Sequence, residues 1–185
     1  AAFRENLEEH KAHALMCSET GNEEQLAQLL AAASEAACVP EVLEARTKGL
    51  IQSTPLTVAA GFGHQACVQL LLESARDAER TEALLLAQDG RGWTALHQAA
   101  ISGSKACVQL LLESAKDMDR AEAVLDTQRE DGWTALHLAA FNGFEAIVKL
   151  LLDAGAERGL KNKNGQTALD LAAEKGHEAV LALLR

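Results

Sequence analysis

DGWTALHLAAFNGFEAIVKLLLDAGAERGLKNKNGQTALDLAAEKGHEAVLALL, Asp131 to Leu184, carries one pattern twice. TALHLAA opens at Thr134 and TALDLAA at Thr167; each runs into a glycine, Gly143 or Gly176, and then into an apolar-periodic stretch ending in Leu-Leu. Upstream the box returns as TALHQAA at Thr94 and TPLTVAA at Thr54, so successive copies lie 40, 40 and 33 residues apart. Self-similarity at such a period is the mark of a repeat array. Each copy reads as helix, tight turn, helix. Leu56, Ala59 and Ala60 followed by Val68, Leu71 and Leu72 give each helix one narrow apolar stripe, and alanine permits close helix approach. One such hairpin cannot bury its face alone, whereas a stack can.

At these residues the chain resembles the ankyrin repeat family, whose pattern is GxTALHLAA, a glycine turn, xxLLL and a GA turn. The resemblance covers residues 50 to 185 clearly, and residues 1 to 49 keep only the turn Gly21 and the Leu29-Leu30 pair. It implies an all-α solenoid of stacked helix-turn-helix units. The units are expected at 1–50 (an N-terminal capping pair), 51–90, 91–130, 131–163 and 164–185, giving five helix pairs.

The residues explain the motif without the name. Thr94 and Thr134 are N-cap residues, whose loss costs about 0.5–2 kcal/mol. His97 and His137 follow the buried Leu96 and Leu136, where a neutral ring can bond backbone between adjacent loops, so their role is structural. His64 and His177 follow the turn glycine and read as helix-start residues, while His10 and His13 lack a third ligand for a metal.

Departures from the pattern are equally informative. Leu152 to Thr167 spans 15 residues, but Leu72 to Thr94 and Leu112 to Thr134 each span 22, so seven residues are inserted twice. The inserted regions, Glu73 to Gln88 and Glu113 to Gln128, lack Gly and Pro and place Ala, Leu and Val at helical spacing. A short extra helix is expected in each, with Asp77 or Asp117 as its cap. Pro40 marks the comparable break in the first unit, at a position compatible with a helix start.

Composition limits the function. The 185 residues are 48% hydrophobic and 24% charged, which suits a folded domain, and 3% aromatics with no Tyr favours helices over strands. The net charge of −10 opposes nucleic-acid binding. Residues 1–50 hold nine carboxylates against four basic side chains, so the acidity gathers at the N-terminal end. No apolar run approaches the ~20 residues of a membrane span. The start at Ala1 lacks the layout of a signal peptide, and the stop at Arg185 inside a helical pattern points to a piece of a longer protein. Cys17, Cys38, Cys67 and Cys107 form no CxxC pair. Cys67 and Cys107 stand where Ile147 and Val180 stand in later copies, so they read as buried, reduced thiols of a cytoplasmic protein.

No nucleophile, base, metal or phosphate-cradling set converges, so neither enzyme activity nor a cofactor is expected. The resemblance implies a monomeric interaction module that binds a protein or peptide along a concave face of hairpin tips and inner helices. The same resemblance implies a scaffold or adaptor, or alternatively an inhibitor covering a partner enzyme's active site. The family's variable positions fall here on Phe62, Arg91, Trp93, Ile101, Ser102, Glu130, Asp131, Trp133, Phe141, Asn142, Lys163, Asn164 and Gln166. Four of the six aromatic residues are among them. Trp93 and Trp133 are expected to anchor a partner while adding little to the stability of the stack.

Overall fold

The computed structural model describes residues 2–49, 51–77, 79–116, 118 and 121–185, and every regular element among them is helical. After the single turn α1 (Ala2–Glu5) come the pair α2 (Leu7–Thr20) and α3 (Glu23–Glu35) and a short third helix, α4 (Val39–Leu43). The same three-helix plan repeats as α5 (Pro55–Phe62), α6 (Gln65–Asp77) and α7 (Thr81–Leu86), then as α8 (Ala95–Ser102), α9 (Lys105–Ala115) and α10 (Ala121–Asp126). The last two units are plain pairs: α11 (Ala135–Phe141) with α12 (Glu145–Asp153), and α13 (Ala168–Lys175) with α14 (Glu178–Leu184). Five helix pairs therefore stack, and both insertions fold as helices.

Helices this short are marginal alone, so their ends are fastened locally and their faces by neighbours. Thr54, Thr94, Thr134 and Thr167 each accept a backbone N–H at the helix start, and His97, His137 and Asp170 reciprocate by accepting the N–H of their own Thr. Pro40 sits in the first turn of α4, as its fixed φ requires. The expected cap of the second third helix is different. Asp77 ends α6, and α7 starts after Arg80 with no side-chain cap, because the intervening turn bends through Glu79 at positive φ. Asp117 lies outside the described residues.

Two layers result. α2, α5, α8, α11 and α13 pack in sequence as the inner layer, and α3, α6, α9, α12 and α14 as the outer. The alanines Ala59, Ala99, Ala139 and Ala172 are fully buried between inner helices, where a larger side chain would push the layers apart. Leu56, Leu96 and Leu136 from the inner layer share one buried core with Leu71, Leu111 and Leu151 from the outer. Truncating any of these to Ala removes about 2–5 kcal/mol. Among the described residues no helix is long and apolar enough to cross a membrane.

Candidate interaction surface

The hairpin tips are built by backbone pairing at their bases. Asp89 N–H donates to Trp93 O at 2.9 Å, Arg129 N–H to Trp133 O at 3.0 Å, and Asn162 N–H to Gln166 O at 2.9 Å. Neighbouring tips are then tied to one another: Gly90 N–H reaches Ile51 O at 2.6 Å and Lys163 N–H reaches Asp131 O at 3.0 Å. Gly132 makes this stacking possible. It holds φ +81°, and a Cβ on it would lie 2.9 Å from the Lys163 nitrogen.

Inside each tip, Asp89 Oδ1 accepts Arg91 N–H at 2.8 Å and Trp93 N–H at 2.9 Å, and Asn162 Oδ1 accepts the amides of Asn164 and Gln166, both at 3.0 Å. The middle tip has Arg129 at that place, which cannot accept. Its guanidinium instead pairs with Asp131, whose Oδ1 accepts Trp133 N–H at 3.3 Å. The hydrogen bond from Arg129 holds the Asp131 carboxyl below its ordinary range. The same guanidinium lies 4.3 Å from the Trp93 ring centroid and 5.3 Å from that of Trp133, within cation–π reach of both indoles.

Trp93 and Trp133 are thus half-buried packing residues as well as surface ones, each set against the core cluster. The expectation that they add little to the stack is corrected by this contact, which tertiary register creates and local sequence does not display. Phe141 meets Trp133 edge to face at 5.4 Å, and Lys175 Nζ lies 4.5 Å from the Phe141 centroid. Trp93, Arg129, Trp133, Phe141 and Lys175 form one continuous run. Phe62, 61% exposed, stands apart and stacks on His64, and Ile101 is 39% exposed.

The remaining predicted residues divide by what holds them. Ser102 donates to Ala60 O and Ala99 O, Asn142 donates to Leu138 O on its own helix, and Gln166 donates to Glu174 at 3.1 Å. Arg91, Glu130, Lys163 and Asn164 project as exposed residues at the tips. Sequence reasoning missed Arg129, Lys175, Met16 (50% exposed) and Ile51 (45% exposed). Arg129 was detectable as the residue that breaks the Asp89/Asn162 pattern, and counting back from Gly21 aligns Met16 with Val58 and Gln98.

The histidines bind the units together. His97 Nδ1 accepts Thr94 N–H at 3.2 Å while Nε2 donates to Trp133 O at 3.0 Å, and His137 does the same toward Gln166 O at 3.2 Å. Burial pushes the His97 pKa down to about 4 and lowers that of His137, so both rings are neutral at pH 7. His64 and His177 donate from Nε2 back to the preceding unit, at Glu19 O and Phe141 O. The His10 ring stacks on Phe3 and His13 faces Gln25, so the two turn to different partners. All four cysteines are buried and free, and burial raises the pKa of Cys17, Cys67 and Cys107.

A family model for ankyrin repeats, in three copies, matches residues 14–122 and again 119–185. No curated protein matches the sequence significantly. With the matched region reaching back into the first helix pair, and with stacked pairs, threonine caps and paired tips in place, the chain belongs to the ankyrin repeat family.

Proposed function

We propose that the chain is a non-enzymatic adaptor module, monomeric and cytoplasmic, that takes a protein or peptide partner along the face formed by its inner helices and tips. Ankyrin repeats generally mediate protein–protein interaction. One observation carries the placement: among the described residues, the exposed large apolar side chains are Met16, Ile51, Phe62 and Ile101, and every one lies on an inner helix or at a tip. Exposed large apolar side chains that all fall on one layer of the stack support an interaction surface there. The run from Trp93 to Lys175 extends that face with aromatic and basic groups, and Arg91, Glu130, Asp131 and Lys163 form a polar rim of mixed sign. Buried, free thiols support a reducing compartment.

The test uses the exposed positions, because tryptophan truncation would mix binding with packing. Capture from a native extract with the wild-type chain, Phe62→Asp and Ile101→Asp, followed by quantitative mass spectrometry, should lose the same partner with both variants while melting temperatures stay level. Partners retained by both variants would place the binding surface elsewhere. Assaying the captured partner with and without the chain separates an adaptor from an inhibitor.

A further inference from the structure

The outer face of the first two units differs from the rest of the stack. Counting from the turn glycines Gly21, Gly63, Gly103 and Gly143, one stripe of the outer helices carries Gln69, Glu73 and Arg76 on α6, Gln109 and Glu113 on α9 with Lys116 just past its end, and Lys149 and Asp153 on α12. On α3 the same stripe is Ala27, Ala31 and Ser34. The lost side-chain volume opens a groove. Between α9 and α12, where Gln109, Glu113 and Lys116 project, the cleft measures about 290 Å³; between α3 and α6 it measures about 590 Å³ and continues past Ala27 and Leu70 into a further 360 Å³. Its floor and walls are Leu30, Leu70, Val39 and Pro40, with Ala37 closing one end at φ +54°.

Charge on the rim is of one sign. Glu23, Glu24, Glu73 and Asp77 border the two sections, and among the described residues no Lys or Arg lines either. The homologous cleft between α9 and α12 instead mixes Glu113 and Asp153 with Lys116. We propose that the α3–α6 groove is a second docking surface, separate from the inner face, and that its occupant is a basic amphipathic helix of a protein partner. The geometry suits a helix. At 1.5 Å per residue the thirteen residues of α3 offer about 20 Å of track, which three to four turns of a partner helix would follow. Apolar side chains at i, i+3, i+4 and i+7 would enter the space left over Ala27 and Ala31, while lysines or arginines on its flanks meet the four carboxylates. Complementary charge steers the encounter and apolar burial holds the complex.

The probe is a fluorescein-labelled 18-residue helix with leucines on one face and lysines elsewhere, followed by anisotropy against the full chain. Ala27→Gln/Ala31→Gln fills the groove with the size of side chain found at other units without altering charge, and should weaken binding more than tenfold. Glu23→Gln/Glu24→Gln/Glu73→Gln should also weaken binding, chiefly through slower association and at low salt. Phe62→Asp should bind the peptide as the wild type does, so a failure of this surface and a failure of the inner-face reading are separable. Amide shift perturbations should centre on α3 and α6. Equal binding by the wild type and the groove-filled variant would mean diffuse electrostatic attraction and overturn the proposal, as would no binding at millimolar peptide. Self-association of the wild type abolished by Ala31→Gln alone would assign the groove to a second copy of the chain and overturn it equally. Melting curves of each variant guard against loss of fold.

Discussion

His97 Nε2 donates to the carbonyl oxygen of Trp133 across the boundary between two units, 3.0 Å away, while its Nδ1 accepts from Thr94. A doubly protonated ring would lose the second bond and place a charge at a site only 1% exposed. The charged neighbours are Arg129 and Asp131, which act in opposite directions on the ring. In the unfolded chain the imidazole titrates near its ordinary value of about 6.5. Because the folded value is depressed to about 4, the stability it contributes is complete above pH 6.5 and falls away as pH drops toward 4. That separation corresponds to about 3 kcal/mol at most. Thr57 occupies the same place in the second unit, so His97→Thr should lower the melting temperature at pH 7.5 yet flatten its decline between pH 6.5 and 4.5. A variant curve parallel to the wild type would assign the acid sensitivity to other groups.

Trp93→Ala should destabilise the chain by about 1–2 kcal/mol, a shift of several degrees for a protein of this size. The indole is half-buried against the core and carries the Arg129 guanidinium at 4.3 Å. Phe62→Ala, at 61% exposure, should stay within about 0.5 kcal/mol of the wild type. Differential scanning calorimetry of the two variants side by side distinguishes packing aromatic from surface aromatic.

Gly143→Ala probes the contact between the fourth unit and the fifth. Gly143 holds φ +72°, and a Cβ there would lie 2.7 Å from Nδ1 of His177, whose ring donates to Phe141 O. The left-handed conformation costs about 1 kcal/mol for alanine, and displacement of the ring adds to it. In a double-mutant cycle with His177→Ala, the backbone cost should persist while the clash disappears. The pair should therefore be less destabilising than the sum of the single changes.

Cys67 and Cys107 should resist a bulky maleimide in the native protein at neutral pH and react at once in denaturant. Both are fully buried, and burial raises their pKa so that little thiolate is present. Mass spectrometry after timed quenching reads the outcome; rapid native labelling at either site would show local opening of the outer layer.

What could be read in the sequence was what local bonds decide. The Thr94–His97 and Thr134–His137 boxes close within one helical turn, so spacing alone reveals them, and the extra helices of the insertions announce themselves through uninterrupted Ala and Leu periodicity. Contacts that depend on how one unit lies on the next were not legible. Arg129 reaches Trp93 only because two tips stack in a particular register, and the tryptophans' packing against the core depends on the same stacking. Met16 was hidden for another reason: the first unit lacks the TPLH box, leaving Gly21 alone to set its alignment. The acidic groove over Ala27 and Ala31 depends on what is missing from a stripe, which a search for motifs does not register.

A second set of ties runs along the tips. Gln128 Nε2 donates to Gly132 O in its own tip at 2.8 Å and to Lys161 O in the next at 3.1 Å; Arg46 Nη1 makes the equivalent pair, to Gln52 O at 3.0 Å and Gln88 O at 2.8 Å. Gln128 is exposed, so water can replace both bonds and the global cost of Gln128→Ala should be only about 0.5–1 kcal/mol. Its effect should be local instead. Without the tie, the tip at Asp131 and the one at Lys163 open more often, and the Lys163 amide, bonded to Asp131 O, should exchange with solvent faster. The Gly90 amide, bonded to Ile51 O in the neighbouring tip at an interface two removed from that of Gln128, with its own tip tied by Arg46 at Gln88 O, should be unchanged. In an array where each unit contacts only its neighbours, the disturbance cannot travel further than the adjoining interface. Equal acceleration at Gly90 and Lys163 would show that the tips open as one cooperative sheet, and that the side-chain ties carry the coupling along the whole stack.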